Sequence, residues 1–232
     1  MFGGEGRSVG TEKAKEYILN LGDYTVTSEK TGILVESGTL TINANRAGGV
    51  VSAGIGKYAA VTAEGENAKV IINEGTYTTT GYRTTAVSGV KLGNAAVETR
   101  SNGKVVINGG YFSTPYTRDH AGNSNPYVYY VLNADDEDNA KNEIVVNGGE
   151  FLNFNPAKTC TEPKNVKDNL LGEGKAVEMW YDGKINEGFE AGGERWEANG
   201  GYEFGYNQTN TAKEGLDLIY KVVDAPKSEE TK

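Results

Sequence analysis

Val105-Val106-Ile107-Asn108-Gly109-Gly110-Tyr111-Phe112 packs a β-branched triplet, an asparagine, two glycines and two aromatics into eight residues. Branching at Cβ crowds a helix but suits a pleated surface, so the triplet favours a strand. The asparagine tolerates a left-handed backbone and bonds to nearby main chain, and glycine supplies positive φ at no steric cost. The octet therefore predicts a short strand running into a tight corner. Three more copies occur: Leu40-Thr41-Ile42-Asn43, Val70-Ile71-Ile72-Asn73-Glu74-Gly75-Thr76-Tyr77 and Ile144-Val145-Val146-Asn147-Gly148-Gly149-Glu150-Phe151. Their asparagines lie 30, 35 and 39 residues apart, a loose period that places insertions in the loops.

A second strand precedes each copy, at Gly32-Ile33-Leu34-Val35, Ala60-Val61-Thr62-Ala63, Ala96-Val97-Glu98-Thr99 and Tyr130-Val131-Leu132-Asn133. Strands this short bury no apolar face alone, whereas stacked copies bury one continuous column. The expectation is an all-β chain folded as a parallel β-solenoid, with the repeated asparagines forming a structural ladder along its axis. Alternation sends Val70, Ile72, Val105, Ile107, Ile144 and Val146 to one face and Ile71, Val106 and Val145 to the other. With both faces apolar, the outer one is expected to be covered by another subunit, by a loop such as Ser113 to Tyr129, or by a terminal cap.

Open solenoid ends template aggregation, so atypical end segments are expected. Residues 1–31 read as leading strands or a cap. Thr11 to Tyr17 has a helical alternative with Thr11 as N-cap, but Tyr17 to Leu21 and Tyr24 to Thr27 read better as strands around Gly22-Asp23. Residues 32–157 hold the repeats. Residues 158–224, with both tryptophans, Trp180 and Trp196, read as a C-terminal cap or small appended β region with strands at Ala176 to Tyr181, Gly201 to Tyr206 and Leu218 to Val223. Residues 225–232 are a charged tail expected to be disordered.

The balance of 23 basic against 32 acidic residues, net −9, contains no basic cluster on which phosphates would release counterions, which argues against nucleic acid as a partner. No run approaches the roughly 18 apolar residues of a membrane span. Met1 to Gly10 is Gly-rich and polar, so no signal peptide or anchor is read there. The expectation is assembly without secretion, as for virion proteins, or loss of a leader or upstream domain. The single cysteine, Cys160, excludes an internal disulfide framework and reads as incidental.

The chain resembles β-helix proteins frequent in tailed bacteriophages and gut-bacterial surface proteins, which carry a "LDLNGYT" leading strand, "GTLTI", repeated "VTINGGTY" coils and an "NGGTFVNFNPA" exit. The counterparts are Leu19 to Thr25, Gly38 to Ile42, the four copies above, and Asn147 to Ala157, so the resemblance spans roughly Tyr17 to Ala157. It implies a right-handed parallel β-helix with an atypical C-terminal cap, in a fibre, spike, capsid-decorating protein or adhesin. No catalytic residue transfers with it.

Many β-helices cleave polysaccharides, which requires two carboxylates roughly 5 to 9 Å apart, or a base facing a cation. Glu64 and Glu98 fall at similar phases of successive repeats, with Arg83, Arg100, Arg118 and Asp119 on the same side, but each is equally a solvated charge. His120 has no serine spacing or second histidine for a triad or metal site. The acidic run Asp135-Asp136-Glu137-Asp138-Asn139 lacks the alternation of a calcium loop. Among the tyrosines Tyr77, Tyr82, Tyr111, Tyr116, Tyr127, Tyr129 and Tyr130, Tyr77 and Tyr111 are expected to stack between coils, while Tyr116 and Tyr127 are the candidates for stacking on a sugar or anchoring a partner. Asn207-Gln208-Thr209 fits the glycosylation pattern by chance frequency alone. The expected function is a non-enzymatic structural or adhesive protein of a virion, or alternatively of an extracellular or bacterial cell surface, without catalytic residue, metal or cofactor. Its expected partners are other virion or surface proteins, glycans, and copies of itself in a trimer, with no membrane contact. The alternative is a polysaccharide lyase or glycoside hydrolase.

Overall fold

The computed structural model describes residues 15–53, 58–80, 82–87, 90–93, 95–114, 127–128, 131–134, 141–152, 154–157, 169–181, 184–185 and 218–226. These form an all-β structure without helices, and the strands recur in groups of three. The first repeat supplies β1 (Glu16–Gly22), β2 (Thr25–Ser28) and β3 (Ile33–Val35), and the second β4 (Gly38–Ala44), β5 (Gly49–Ser52) and β6 (Val61–Glu64). The third supplies β7 (Ala68–Ile72) and β8 (Thr76–Thr79), then β9 (Tyr82–Val87) and β10 (Val90–Gly93) as an insertion, then β11 (Val97–Arg100). The fourth has β12 (Lys104–Ile107), β13 (Tyr111–Ser113), the inserted β14 (Tyr127–Val128) and β15 (Leu132–Ala134). The chain continues with β16 (Glu143–Val146), β17 (Gly149–Leu152), β18 (Lys175–Tyr181), β19 (Lys184–Ile185) and β20 (Leu218–Asp224).

Equivalent strands of successive repeats lie side by side. One sheet runs β1-β4-β7-β12-β16 and another β15-β11-β6-β3, both parallel throughout. A third runs parallel from β2 through β5, β8 and β13 to β17, then continues antiparallel through β20, β18 and β19. The insertions that stretch the period meet in a small separate sheet, β14-β10-β9. The second strand of each later repeat, β5, β8, β13 and β17, was not read from the sequence as a separate element. It follows the corner closely, so strand, corner and aromatic pair looked like one unit.

Register places like on like. Val105 pairs with Val70 and Ile144, and Ile107 with Ile72 and Val146, all of them buried. Each such fully buried side chain stabilises the fold by about 1.5–3 kcal/mol. Ile71, Val106 and Val145 alternate outward and are half-buried. The two corner glycines have different physical duties. Gly110 and Gly149 adopt φ of 112° and 108°, a region costly for any side chain. Gly109 and Gly148 are instead demanded by proximity, since a Cβ on them would lie 2.4 Å from the Asn73 carbonyl oxygen and 2.2 Å from that of Asn108.

Two side-chain columns follow from this register. Each asparagine amide donates to the carboxamide oxygen one repeat earlier: Asn43 to Asn20 at 2.8 Å, Asn73 to Asn43 at 2.7 Å, Asn108 to Asn73 at 2.9 Å and Asn147 to Asn108 at 3.0 Å. The ladder thus begins one rung earlier than the hydrophobic triplets suggested. Inside, the rings of Tyr77, Phe112 and Phe151 stack at 5.2 and 5.0 Å, each pair inclined by 12°, and Phe154 tilts onto the end at 6.3 Å. The Tyr77 hydroxyl donates to the Glu74 carbonyl at 2.9 Å, and burial, helped by the Glu74 charge, pushes its ionisation far up. Tyr111, expected in such a stack, instead points outward beneath the Arg46 guanidinium, because it alternates with Phe112.

The far end is closed by the segment after residue 168. Gly172 comes so close to the last rung that a Cβ there would meet Asn147 Oδ1 at 2.0 Å, and β20 covers the edge of β17, setting buried Tyr220 against Phe151. Predicted strand Gly201 to Tyr206 and the expected tail from residue 227 onward lie outside the described residues.

Removing the ring of Phe112 takes out the centre of the aromatic column, so Phe112→Ala should cost about 3–5 kcal/mol in urea unfolding. Asn108→Ala removes two ladder bonds and should cost about 1–3 kcal/mol, against about 0.5–1.5 kcal/mol for Asn20→Ala, which removes one. Equal losses for the two asparagines would contradict the ladder.

Candidate functional site

The strand run β3, β6, β11 and β15 brings the sequence-predicted carboxylates together. Val97 and Thr99 face the core and Glu98 faces the other side, in register with Thr62 and Asn133. Glu98 is nonetheless 1% exposed and Asn133 3%, so this outer face is covered. The Asn133 amide donates to Glu98 Oε1 at 3.0 Å, and the Arg100 guanidinium donates to Glu98 Oε2. Arg100 Nη1 also lies 3.9 Å from Glu64 Oε2, on the half-exposed side of the pair. Glu64 and Glu98 therefore converge on one guanidinium, and both Glu98 oxygens are occupied. A buried carboxylate with guanidinium and amide partners is held in place as an ion pair.

The other expected chemistry is placed only in part. Arg83 sits on β9 and Tyr127 on β14, opposite Lys91 of β10, with the backbone alone described at both positions. Tyr116, Arg118, Asp119, His120, the acidic run Asp135 to Asn139, Cys160 and the Asn207 triplet lie outside the described residues. Among the described residues no three metal-ligating side chains gather, and no helix is long and apolar enough to cross a membrane.

A second constellation escaped sequence reading. The Asn-Gly corners after β12 and β16, Arg46 and Glu74 from the corners of the second and third repeats, Lys175 and strand β20 line an open groove of about 430 Å³. Arg46 reaches past two repeats to Glu150 at 2.7 Å, its guanidinium lying 4.5 Å over the Tyr111 ring. Lys221 of β20 reaches the other oxygen of Glu150 at 3.1 Å while its ammonium sits 4.2 Å over Trp180. Lys175 pairs with Asp224 at 2.5 Å. Partial burial raises the Glu150 carboxyl, but the hydrogen bonds and charges of Arg46 and Lys221 outweigh it and hold the group below the usual carboxylate range. The Asp224 carboxyl is lowered by its Lys175 hydrogen bond. Arg46 and Glu150 are 104 residues apart, so only the coil register, never local spacing, reveals the pair.

Comparison with protein-family models, curated proteins and solved structures finds no match.

Two outcomes check this geometry. Glu98→Ala strands Arg100 and Asn133 on a covered face and should cost about 3 kcal/mol or more in urea unfolding, whereas a loss below 1 kcal/mol, roughly that of an exposed pair, would contradict the buried ion pair. Glu150 has a folded value lowered from the ordinary 4.5, so its contribution is full above that pH and disappears as pH falls through the lowered value. Acid unfolding of Glu150→Gln should accordingly lose less stability below that pH than the parent chain, and parallel loss would overturn the assignment.

Proposed function

We propose that this chain is a right-handed parallel β-helix with a C-terminal cap, acting as a non-enzymatic structural or adhesive component of a bacteriophage virion. The observation that carries the reading is the unbroken asparagine ladder from Asn20 to Asn147 beside the ring column Tyr77, Phe112 and Phe151. Both columns repeat like contacts along one axis, which makes a stiff scaffold. Right-handedness is the strong preference for strand crossovers within a parallel sheet. The virion assignment rests on the resemblance of the Leu19 to Ala157 motifs to phage β-helices. The half-buried outer row Ile71, Val106 and Val145 supports attachment to a neighbouring protein or to copies of the chain around a three-fold axis. On this reading the partners are virion proteins and a surface glycan.

A second reading, a polysaccharide lyase or glycoside hydrolase, is favoured by one observation: Glu64 and Glu98 share Arg100. The engaged state of Glu98 counts against it.

Mass-spectrometric inventory of purified virions and of the producing cell's surface fraction should find the chain in virions in stoichiometric amount. Absence from both fractions contradicts the structural reading. Incubation with acidic and neutral polysaccharides should release no reducing ends or unsaturated products, and turnover abolished by Glu64→Gln would put the enzyme in its place.

A further inference from the structure

The groove along the glycine corners has a chemistry that stacking does not require. We propose that it binds a neutral oligosaccharide, read by the outward groups of Asn108 and Asn147 on one side and by Glu74, Asp224 and the Glu150 ion pairs around it. The proposal rests on the adhesive reading and adds the site and the ligand class.

The ladder leaves recognition groups over. A carboxamide has two N–H donors and an oxygen with two lone pairs, and each internal rung spends one donor and one acceptor site on its neighbours. Every internal rung thus keeps one N–H and one lone pair for solvent, and the rungs repeat at the strand spacing of about 4.8 Å. Asn108, an internal rung, is exposed and keeps both, while Asn147, the half-buried last rung, has its Oδ1 against Gly172 and offers its second N–H; both line the groove. A saccharide hydroxyl both donates and accepts, so neighbouring hydroxyls match this donor and acceptor pair.

The floor suits a ring. Gly109, Gly110, Gly148 and Gly149 carry no side chain, and close backbone approach forbids one at Gly109 and Gly148. Gly109, Gly110 and Gly148 are buried and Gly149 half-buried, so main chain rather than side chains forms the floor of the groove.

The charges set the ligand class. Arg46, Lys175 and Lys221 are balanced by Glu74, Glu150 and Asp224, so the groove presents no net charge to attract an ion. Five of the six are already in ion pairs with each other, and the carboxylate of the sixth, Glu74, makes no hydrogen bond or ion pair among the described residues and leans over the Gly109 corner. Apolar lining is confined to Val222 and Val223, with Val222 buried, which offers no anchor for a hydrophobic side chain of a peptide. The volume of about 430 Å³ lies within the ordinary range of small-ligand sites. Arg46 and Lys221 are held in advance by their ring and carboxylate contacts, so less ordering is lost on binding.

The test uses the full chain, ¹⁵N-labelled and titrated with cellohexaose, maltohexaose and mannohexaose, with hexagalacturonate as the acidic comparison. At least one neutral probe should shift the side-chain amide signals of Asn108 and Asn147. Glu74→Ala combined with Asp224→Asn, both at the exposed rim, should weaken that binding about tenfold with the urea midpoint unchanged. No shift with any neutral probe, equal affinity in the double variant, or preference for the acidic probe would each overturn the site. Presence in virions without saccharide binding would remove this site and leave the structural role standing, while binding without presence in virions would do the reverse.

Discussion

Parallel hydrogen bonding between equivalent strands of successive repeats is the constraint from which the remaining structure follows. Strands of three to seven residues cannot bury a face alone. Once Val70, Val105 and Ile144 are aligned, the asparagines that end those strands are within reach of each other, and so are the rings two turns of backbone later. The glycine corners exist because this alignment brings one repeat's carbonyl oxygen against the next repeat's Cα. A slip of one residue in any pair would turn the buried column outward and break the ladder at the same step.

Ends and interruptions obey the same constraint. The parallel series stops where Gly172 approaches the last asparagine, and beyond β17 the sheet continues with its strand direction reversed in β20. Insertions between the second and third strands of the third and fourth repeats supply β9, β10 and β14, which form their own sheet and leave the three main sheets intact. Arg46 and Glu150 bridge the length of the stack on its outside, and Lys221 ties the cap to the same carboxylate.

Periodicity made the strand positions legible. The triplets at Val70, Val105 and Ile144, the preceding strands at Ile33, Val61 and Val97, and the cap strands β18 and β20 were all readable from β-branched runs and glycine punctuation. The second strand of the later repeats, β5, β8, β13 and β17, was hidden because its residues follow the corner closely. Tyr111 was misplaced for a related reason: without the strand, nothing said that Phe112 and not Tyr111 faces inward. Glu64 and Glu98 were readable as neighbours because they share a phase, but their common partner Arg100 shows them as a tethered pair. The groove was invisible in one dimension, since its charges come from three separate coils and from β18 and β20, and meet only through register.

The measurement that bears most directly on the central claim is the pattern of interproton contacts across β7, β12 and β16 in the full chain. Parallel in-register pairing predicts amide contacts from Val106 to the strand of Ile71 on one side and to that of Val145 on the other, without close Hα–Hα pairs between these strands. Close Hα–Hα pairs linking Val105 or Val106 to either neighbour would mean antiparallel pairing and would contradict the stack from which everything else here is built.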